Sequence, residues 1–188
     1  MIKSHDRSYY IGASDTGMVV GDWSTKTFDK WYGTKLGIYS MDYVSLEMRA
    51  GTAYEHRILH ALKIKDLEMD KQIIKGRLRV NLDGNTPDEI IEVKTHKAGN
   101  VYKPTKSHRQ QVCVEMYGTG IRKARIASYQ LVDDDYKNFY RDIDLERLSF
   151  FRVEYDDEFI NQIYLPRFYY LCDCLDKGVW PKWNLQGA

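Results

Sequence analysis

The stretch NLDGNTPDEIIEVKT, residues 81–95, places Asp83, Glu92 and Lys94 around a short apolar run. A core strand rarely carries such groups so close together unless they pair or bind something. Side chains alternate on an extended chain, so Glu92 and Lys94 share one face while Ile91, Val93 and Thr95 take the other. A hairpin turning at Gly84 to Pro87 brings Asp83, the end of the preceding strand, beside Glu92. In GTAYEHRILHAL, Glu55 stands at i, i+3, i+4 and i+7 with Ile58, Leu59 and Leu62, so it faces the core side of a helix. A carboxylate there needs a cation or a donor, and a hard divalent ion with oxygen ligands supplies one. The same spacing aligns Gln111 with Val114 and Gly118, an amide directed toward packed structure.

These residue types together suit phosphodiester hydrolysis. Carboxylates hold one or two Mg²⁺ or Mn²⁺ ions, which acidify the attacking water, align it and neutralise charge on the phosphate. A lysine beside them orients or deprotonates that water and stabilises the charge that builds in the transition state. The plain alternative is a surface hairpin in which Glu92 and Lys94 merely pair, worth at most about 1 kcal/mol.

The elements that position these groups are readable. GASDTGMVVG offers Ser14 or Asp15 as N-cap of a short helix that stops at Gly21, and TKTFDKWYGTKLG is a second helix ending at glycine. SLEMRAGTAYEHRILHALKI is a longer helix that carries Glu55. GRLRVNLDG alternates as a half-buried strand, and DEIIEVKT is its hairpin partner. KSHRQQVCVEMYGTG is a helix, KARIASYQLV and LSFFRVEY are strands, and DDEFINQIYLPRFYYLCDCLDKG is a closing helix kinked or broken near Pro166. The order implies an α/β or α+β fold around a mixed sheet.

The chain has 188 residues, 43% of them hydrophobic, which predicts one domain over 1–188 with a self-sufficient core. Cys113, Cys172 and Cys174 form neither a disulfide framework nor a four-thiolate cluster, so a reducing cytoplasm is expected. Cys172 and Cys174 diverge by about 200° on a helix, so one thiol should face inward and one outward. No apolar run reaches the roughly 18 residues of a membrane span. His56, His60, His96 and His108 show no ligand-like spacing, and zinc is not expected. The net charge of +1 hides a division. Residues 71–125 carry twelve Lys and Arg against five Asp and Glu, and residues 132–176 carry five against twelve. The basic middle suits a polyanion, and ordinary solvated faces explain the charge about as well.

The pattern D-x8-E-V-K in DGNTPDEIIEVK resembles the PD-(D/E)xK nuclease signature, a restriction-endonuclease-like core of mixed sheet and flanking helices. Its company is more specific. IGASDTGMVVG, AGTAYEHRIL, NLDG with IIEVKT, HRQQVCVEMYGTGIRKARIASY and GVWPKW stand in the order found in the lambda exonuclease and YqaJ-like viral recombinase family, over residues 7–183. By that resemblance Asp83, Glu92 and the main-chain carbonyl of Val93 are metal ligands, and Glu55 completes the site directly or through water. Lys94 matches the catalytic lysine, and Gln111 the glutamine that orients it or the water. Arg7 and Ser14 look like the pair that grips a five-prime phosphate, Ser14 also suiting a helix N-terminus. Leu82 replaces the usual proline and Cys113 a second glutamine, while a "PD" occurs instead at Pro87-Asp88, which makes Asp88 a rival ligand.

The resemblance implies a Mg²⁺-dependent exonuclease, with Mn²⁺ as substitute, that resects linear double-stranded DNA from a five-prime-phosphorylated end. It also implies a ring-shaped homotrimer and a single-strand annealing partner, in a bacterial host cytoplasm if phage-encoded. Lys97, Lys103, Lys106 and Arg109 follow the active strand and are candidate contacts to DNA phosphates. The rival readings are a restriction- or repair-type endonuclease and an inactive DNA-end binder that keeps the fold.

Overall fold

The structure is a computed structural model describing residues 9–40, 44–99 and 101–182. Strand β1 (Ile11–Gly12) leads through a 3-10 turn at Ala13–Asp15 into α1 (Thr16–Val20) and then α2 (Lys26–Lys35). Helix α3 (Leu46–Ala61) precedes β2 (Glu68–Lys75), β3 (Leu78–Asn85) and β4 (Ile90–Lys97). Helix α4 (Lys106–Thr119) crosses to β5 (Ala124–Leu131), followed by α5 (Asp133–Lys137), β6 (Leu148–Val153) and α6 (Leu165–Asp176). Hydroxyl caps start α2, α3 and α4: Thr25, Ser45 and Thr105 accept the N–H groups of Phe28, Met48 and His108.

The strands form one mixed sheet in the order β1-β3-β4-β5-β6, with β2 on the other edge of β3. Strands β4 and β5 are parallel, joined by the α4 crossover, and β5 and β6 are antiparallel. Against β3, β1 pairs only at Leu78 and Arg79, and β4 only at Gly84 and Asn85. Between those contacts the β3 edge from Val80 to Asp83 has no strand partner among the described residues, so β3 and β4 form a fork.

Each face of the sheet has its own apolar layer. Ile91, Val93, Ala127 and Tyr129 pack against Tyr54, Ile58 and Leu59 of α3. Leu78, Val80, Leu82, Ile90 and Ile126 pack with Val112 and Met116 of α4 and with residues of α2 and α6. Gly118 permits that approach, because a Cβ there would lie 2.5 Å from a Val80 methyl. Gly120, at φ +82°, then ends α4 in a conformation that suits glycine. Among the described residues no helix is long and apolar enough to cross a membrane.

The mixed α/β class and the expected helices and strands are present, with several corrections. The turn expected from Gly84 lies later, since β3 runs to Asn85 and its long partner is β2 rather than β4. Strand β2 has no sequence signature because it is largely exposed and lacks sustained alternation. Strand β1 and helix α5 are likewise too short to announce themselves. The disturbance expected near Pro166 takes the form of a π-helical segment at Phe159–Tyr164, after which the proline sits in the first turn of α6, where no N–H is required of it. Cys172 and Cys174 are both buried, contrary to the one-in, one-out expectation. The chain returns over α6, with the Val179 N–H donating to the Cys174 carbonyl at 3.0 Å and Trp180 packing 5.1 Å from Tyr32.

Candidate active site

The fork brings Asp83 to β4. The register places the Val93 N–H opposite β3, but the strands have parted there, and Asp83 Oδ2 accepts that N–H at 2.8 Å. A carboxylate thus substitutes for a missing main-chain acceptor, which holds it at the edge of β4. Glu92 and Lys94 share a face, as alternation requires, and Lys94 Nζ donates to Glu92 Oε1 at 2.6 Å. Glu92 is 2% exposed.

Helix α4 covers this face. Gln111 Nε2 donates to Glu92 Oε1 at 2.7 Å, while Gln111 Oε1 accepts from Lys94 Nζ at 3.3 Å. The amide therefore locks the acid and the base of the strand to each other. Gln111 Nε2 also donates to Glu115 Oε1 at 2.9 Å. Glu115, fully buried, is a member of the site that sequence reasoning missed. Its signal was present, since Glu115 lies four residues after Gln111 and shares its helical face.

Glu55 is half-buried at the margin of the α3 core stripe. It is electrostatically joined to the group, for burial first and the charge of Glu92 second raise its carboxyl above the ordinary value. Ligand atoms of Glu55, His56 and Asp70 lie within 4.8 Å of one another, and His56 Nε2 is 3.0 Å from Asp70 Oδ2. His56 thereby enters a carboxylate cluster that its sequence spacing did not indicate.

Burial, then Glu92 and Glu55, push Asp83 well above the usual carboxylate range against the favourable Val93 hydrogen bond. Burial and then Glu92 do the same to Glu115. Burial opposes the Lys94 ammonium, but the Glu92 charge and hydrogen bond, with Asp83 and Glu115, more than offset it and raise Lys94. The group is thus rich in desolvated oxygens around one cation. Glu92 Oε2 is buried without a hydrogen-bond partner. This donor set fits a hard divalent cation, which takes carboxylate and carbonyl oxygens.

The other predicted residues divide. Ser14 is exposed and lines a cavity with Arg79, Asn81, Lys35 and Gln111, adjoining the carboxylates. Arg7 lies outside the described residues. Asp88 is exposed in the β3–β4 turn, its N–H directed to Thr86 Oγ1 at 3.3 Å, whereas Asp83 is half-buried and feels the charge of the buried Glu92. Lys97, Lys103, Lys106 and Arg109 are exposed, with Lys97 3.4 Å from Asp133. His96 stacks on Tyr102 with ring centroids 4.8 Å apart, and His108 Nδ1 lies 2.8 Å from the Tyr102 hydroxyl.

No protein-family model and no curated protein matches the sequence. Solved structures do. The alkaline exonuclease LHK-Exo from Laribacter hongkongensis superposes with a TM-score of 0.68 at 17% identity, covering 91% of this chain and 90% of its own. A phage-related exonuclease from Haemophilus somnus 129PT gives 0.64 at 14% identity, over 89% and 94%. A putative exonuclease from Eubacterium rectale gives 0.55 at 11% identity, over 99% and 96%. The chain therefore has the fold of the alkaline and phage-related exonucleases, the structural group to which its ordered motifs pointed.

Proposed function

We propose that this chain is a Mg²⁺-dependent deoxyribonuclease, with Mn²⁺ able to substitute, and specifically a phage-type exonuclease that resects linear double-stranded DNA in the five-prime to three-prime direction. The observation that carries the reading is the meeting of Asp83, Glu92, Lys94 and Gln111 at the β3–β4 fork. Asp83, Glu92, the Val93 carbonyl and Glu55 would hold the divalent ion, which when bound acidifies water and offsets phosphate charge. The Lys94 ammonium, fixed between Glu92 and Gln111, is placed to orient the attacking water and to donate to oxygens that gain charge in the transition state. Gln111 sets the direction of that ammonium, and the Val93 N–H sets that of Asp83.

On this reading the substrate is a linear duplex with five-prime-phosphorylated ends, Arg7 and Ser14 contact the terminal phosphate, and the exposed Lys97, Lys103, Lys106 and Arg109 follow the backbone. One domain over 1–188, cytoplasmic action, a homotrimeric ring around DNA and a single-strand annealing partner complete the proposal. The test is digestion of linear five-prime-phosphorylated duplex and of covalently closed circles, with Mg²⁺ or EDTA, by wild type and Lys94→Ala. Mg²⁺-dependent release of nucleotides from linear DNA alone, lost in Lys94→Ala, is the expected result. Equal release by both proteins overturns the mechanism, and cutting of closed circles moves the assignment to an endonuclease.

A further inference from the structure

Glu115 is buried beside the fork, and the chemistry just described makes no use of it. It lies in the interior of α4 with Val112, Val114 and Met116, and all four residues are 0% exposed. A carboxyl group in such surroundings is costly to bury. An apolar side chain of similar volume at such a position commonly leaves a protein as stable or more so. Packing therefore does not account for the acid.

Its hydrogen bonds do. Gln111 stands four residues earlier, so the two side chains meet on one face of the helix. A glutamine amide offers two N–H groups and one carbonyl oxygen. Gln111 Nε2 donates to Glu92 Oε1 at 2.7 Å and to Glu115 Oε1 at 2.9 Å, while Gln111 Oε1 accepts from Lys94 Nζ at 3.3 Å. Every polar group of the amide is thus used. A reversed amide would set its oxygen against two carboxylate oxygens and its N–H groups against an ammonium. Two of the three partners have a second task in the proposed reaction, Glu92 toward the divalent ion and Lys94 toward the water. Glu115 has none, and its Oε2 is buried without a hydrogen-bond partner. Its backbone is held as well, since the Thr119 hydroxyl donates to the Glu115 carbonyl at 2.8 Å and α4 lies close on Val80 at Gly118.

We infer that Glu115 is a positioning residue, which holds the Gln111 amide from a fixed frame and so keeps its oxygen on the Lys94 ammonium while Glu92 and Lys94 serve the reaction. It acts through Gln111 and does not itself meet the substrate. The consequence for hydrolysis rests on the nuclease reading; the hold on Gln111 rests on the hydrogen bonds alone.

The test compares Glu115→Met and Glu115→Gln with wild type. Glu115→Met should lower kcat on linear duplex in Mg²⁺ by about 10- to 100-fold with KM unchanged, the range for loss of a group that orients a reacting one. Its melting temperature in EDTA should be equal or higher. Glu115→Gln, whose amide oxygen still accepts from Gln111, should recover most of the rate. In a Gln111→Leu background, Glu115→Met should cost nothing further, because the partner through which it acts is gone. Nuclear magnetic resonance in EDTA reads the hold directly. The side-chain N–H signals of Gln111, identified by their absence from Gln111→Leu, should shift in Glu115→Met and stay near their wild-type positions in Glu115→Gln. Unchanged Gln111 signals or an undiminished kcat in Glu115→Met, or an additive loss in the Gln111→Leu background, overturns the inference. A melting temperature of Glu115→Met well below wild type also overturns it, by assigning the acid to packing. Hydrolysis by wild type is scored separately: shifted Gln111 signals with no hydrolysis uphold the Glu115 hold and fail the nuclease reading, and hydrolysis with unshifted signals does the reverse.

Discussion

Among the described residues two neighbourhoods bury carboxylates, and they treat them in opposite ways. Asp135, at the start of α5, is 0% exposed and fully served: Arg147 Nη1 donates to it at 2.5 Å, the Val132 N–H at 2.9 Å and the Tyr54 hydroxyl at 3.2 Å. Arg141 stands 3.7 Å away. Burial works to raise this carboxyl, but the Arg147 and Val132 hydrogen bonds with the arginine charge bring it below its ordinary value. At the β3–β4 fork the balance is reversed, and Asp83, Glu55 and Glu115 are all raised first by burial and next by the charge of Glu92. The fold is able to neutralise a buried acid with paired donors and does so at Asp135. The deficit of donors at the fork is therefore a property of that site, and it is a deficit that a bound cation would offset.

The contrast gives predictions that run from chemistry to surface. Lys94→Ala should lower DNA hydrolysis by about 10²- to 10⁴-fold, the range for loss of a positioned proton-handling group, with its effect read as nucleotide release in Mg²⁺. Asp83→Asn should abolish activity to a similar degree yet leave the melting temperature equal or higher in EDTA, because it removes a charge the fold does not compensate. Arg147→Met should do the opposite. It strands the buried Asp135 charge, costs about 3–5 kcal/mol and lowers the melting temperature by roughly 10 °C without a direct effect on the chemistry.

Divalent ions sharpen the same contrast. Saturating Mg²⁺ at about 100 times its dissociation constant should stabilise wild type by about 2.7 kcal/mol, visible as a rise in melting temperature that Asp83→Asn lacks. Acid should act on the other neighbourhood. Because the folded pKa of Asp135 is depressed, its stabilisation is present above the unfolded value of about 3.9 and is lost as pH falls through the folded value. Melting curves taken downward from about pH 5 should therefore steepen for wild type and be flatter for Arg147→Met. The smallest effect belongs to Asp88→Asn. This exposed aspartate should change stability by less than about 0.5 kcal/mol and leave hydrolysis unchanged; a large loss of activity would return it to the metal site.

Much of the fork was legible before any tertiary information. Alternation alone put Glu92 and Lys94 on one face, helical spacing turned Gln111 toward the packed side, and glycines marked the ends of α1 at Gly21 and of α4 at Gly120. Strand β2 was not legible because its residues face solvent, and periodicity reports only burial that alternates. Glu115 stood in plain sight four residues after Gln111, but a lone glutamate on a helix ordinarily signals a solvated face.

The sequence by itself determined which residue types could meet on β4, which helices had to flank the sheet, and the chemistry that such a set suits. Those inferences rest on local rules of two and 3.6 residues per repeat, which operate wherever the chain goes. Only the tertiary structure decided that β3 and β4 part after two pairs, that Asp83 fills the vacated acceptor position at Val93, and that β1 brings the Ser14 turn to Arg79. It also decided that Asp135 meets two arginines while the acids of the fork meet one lysine. These are relations between segments far apart in the chain, set by strand pairing and by competition for buried space, and no local period encodes them.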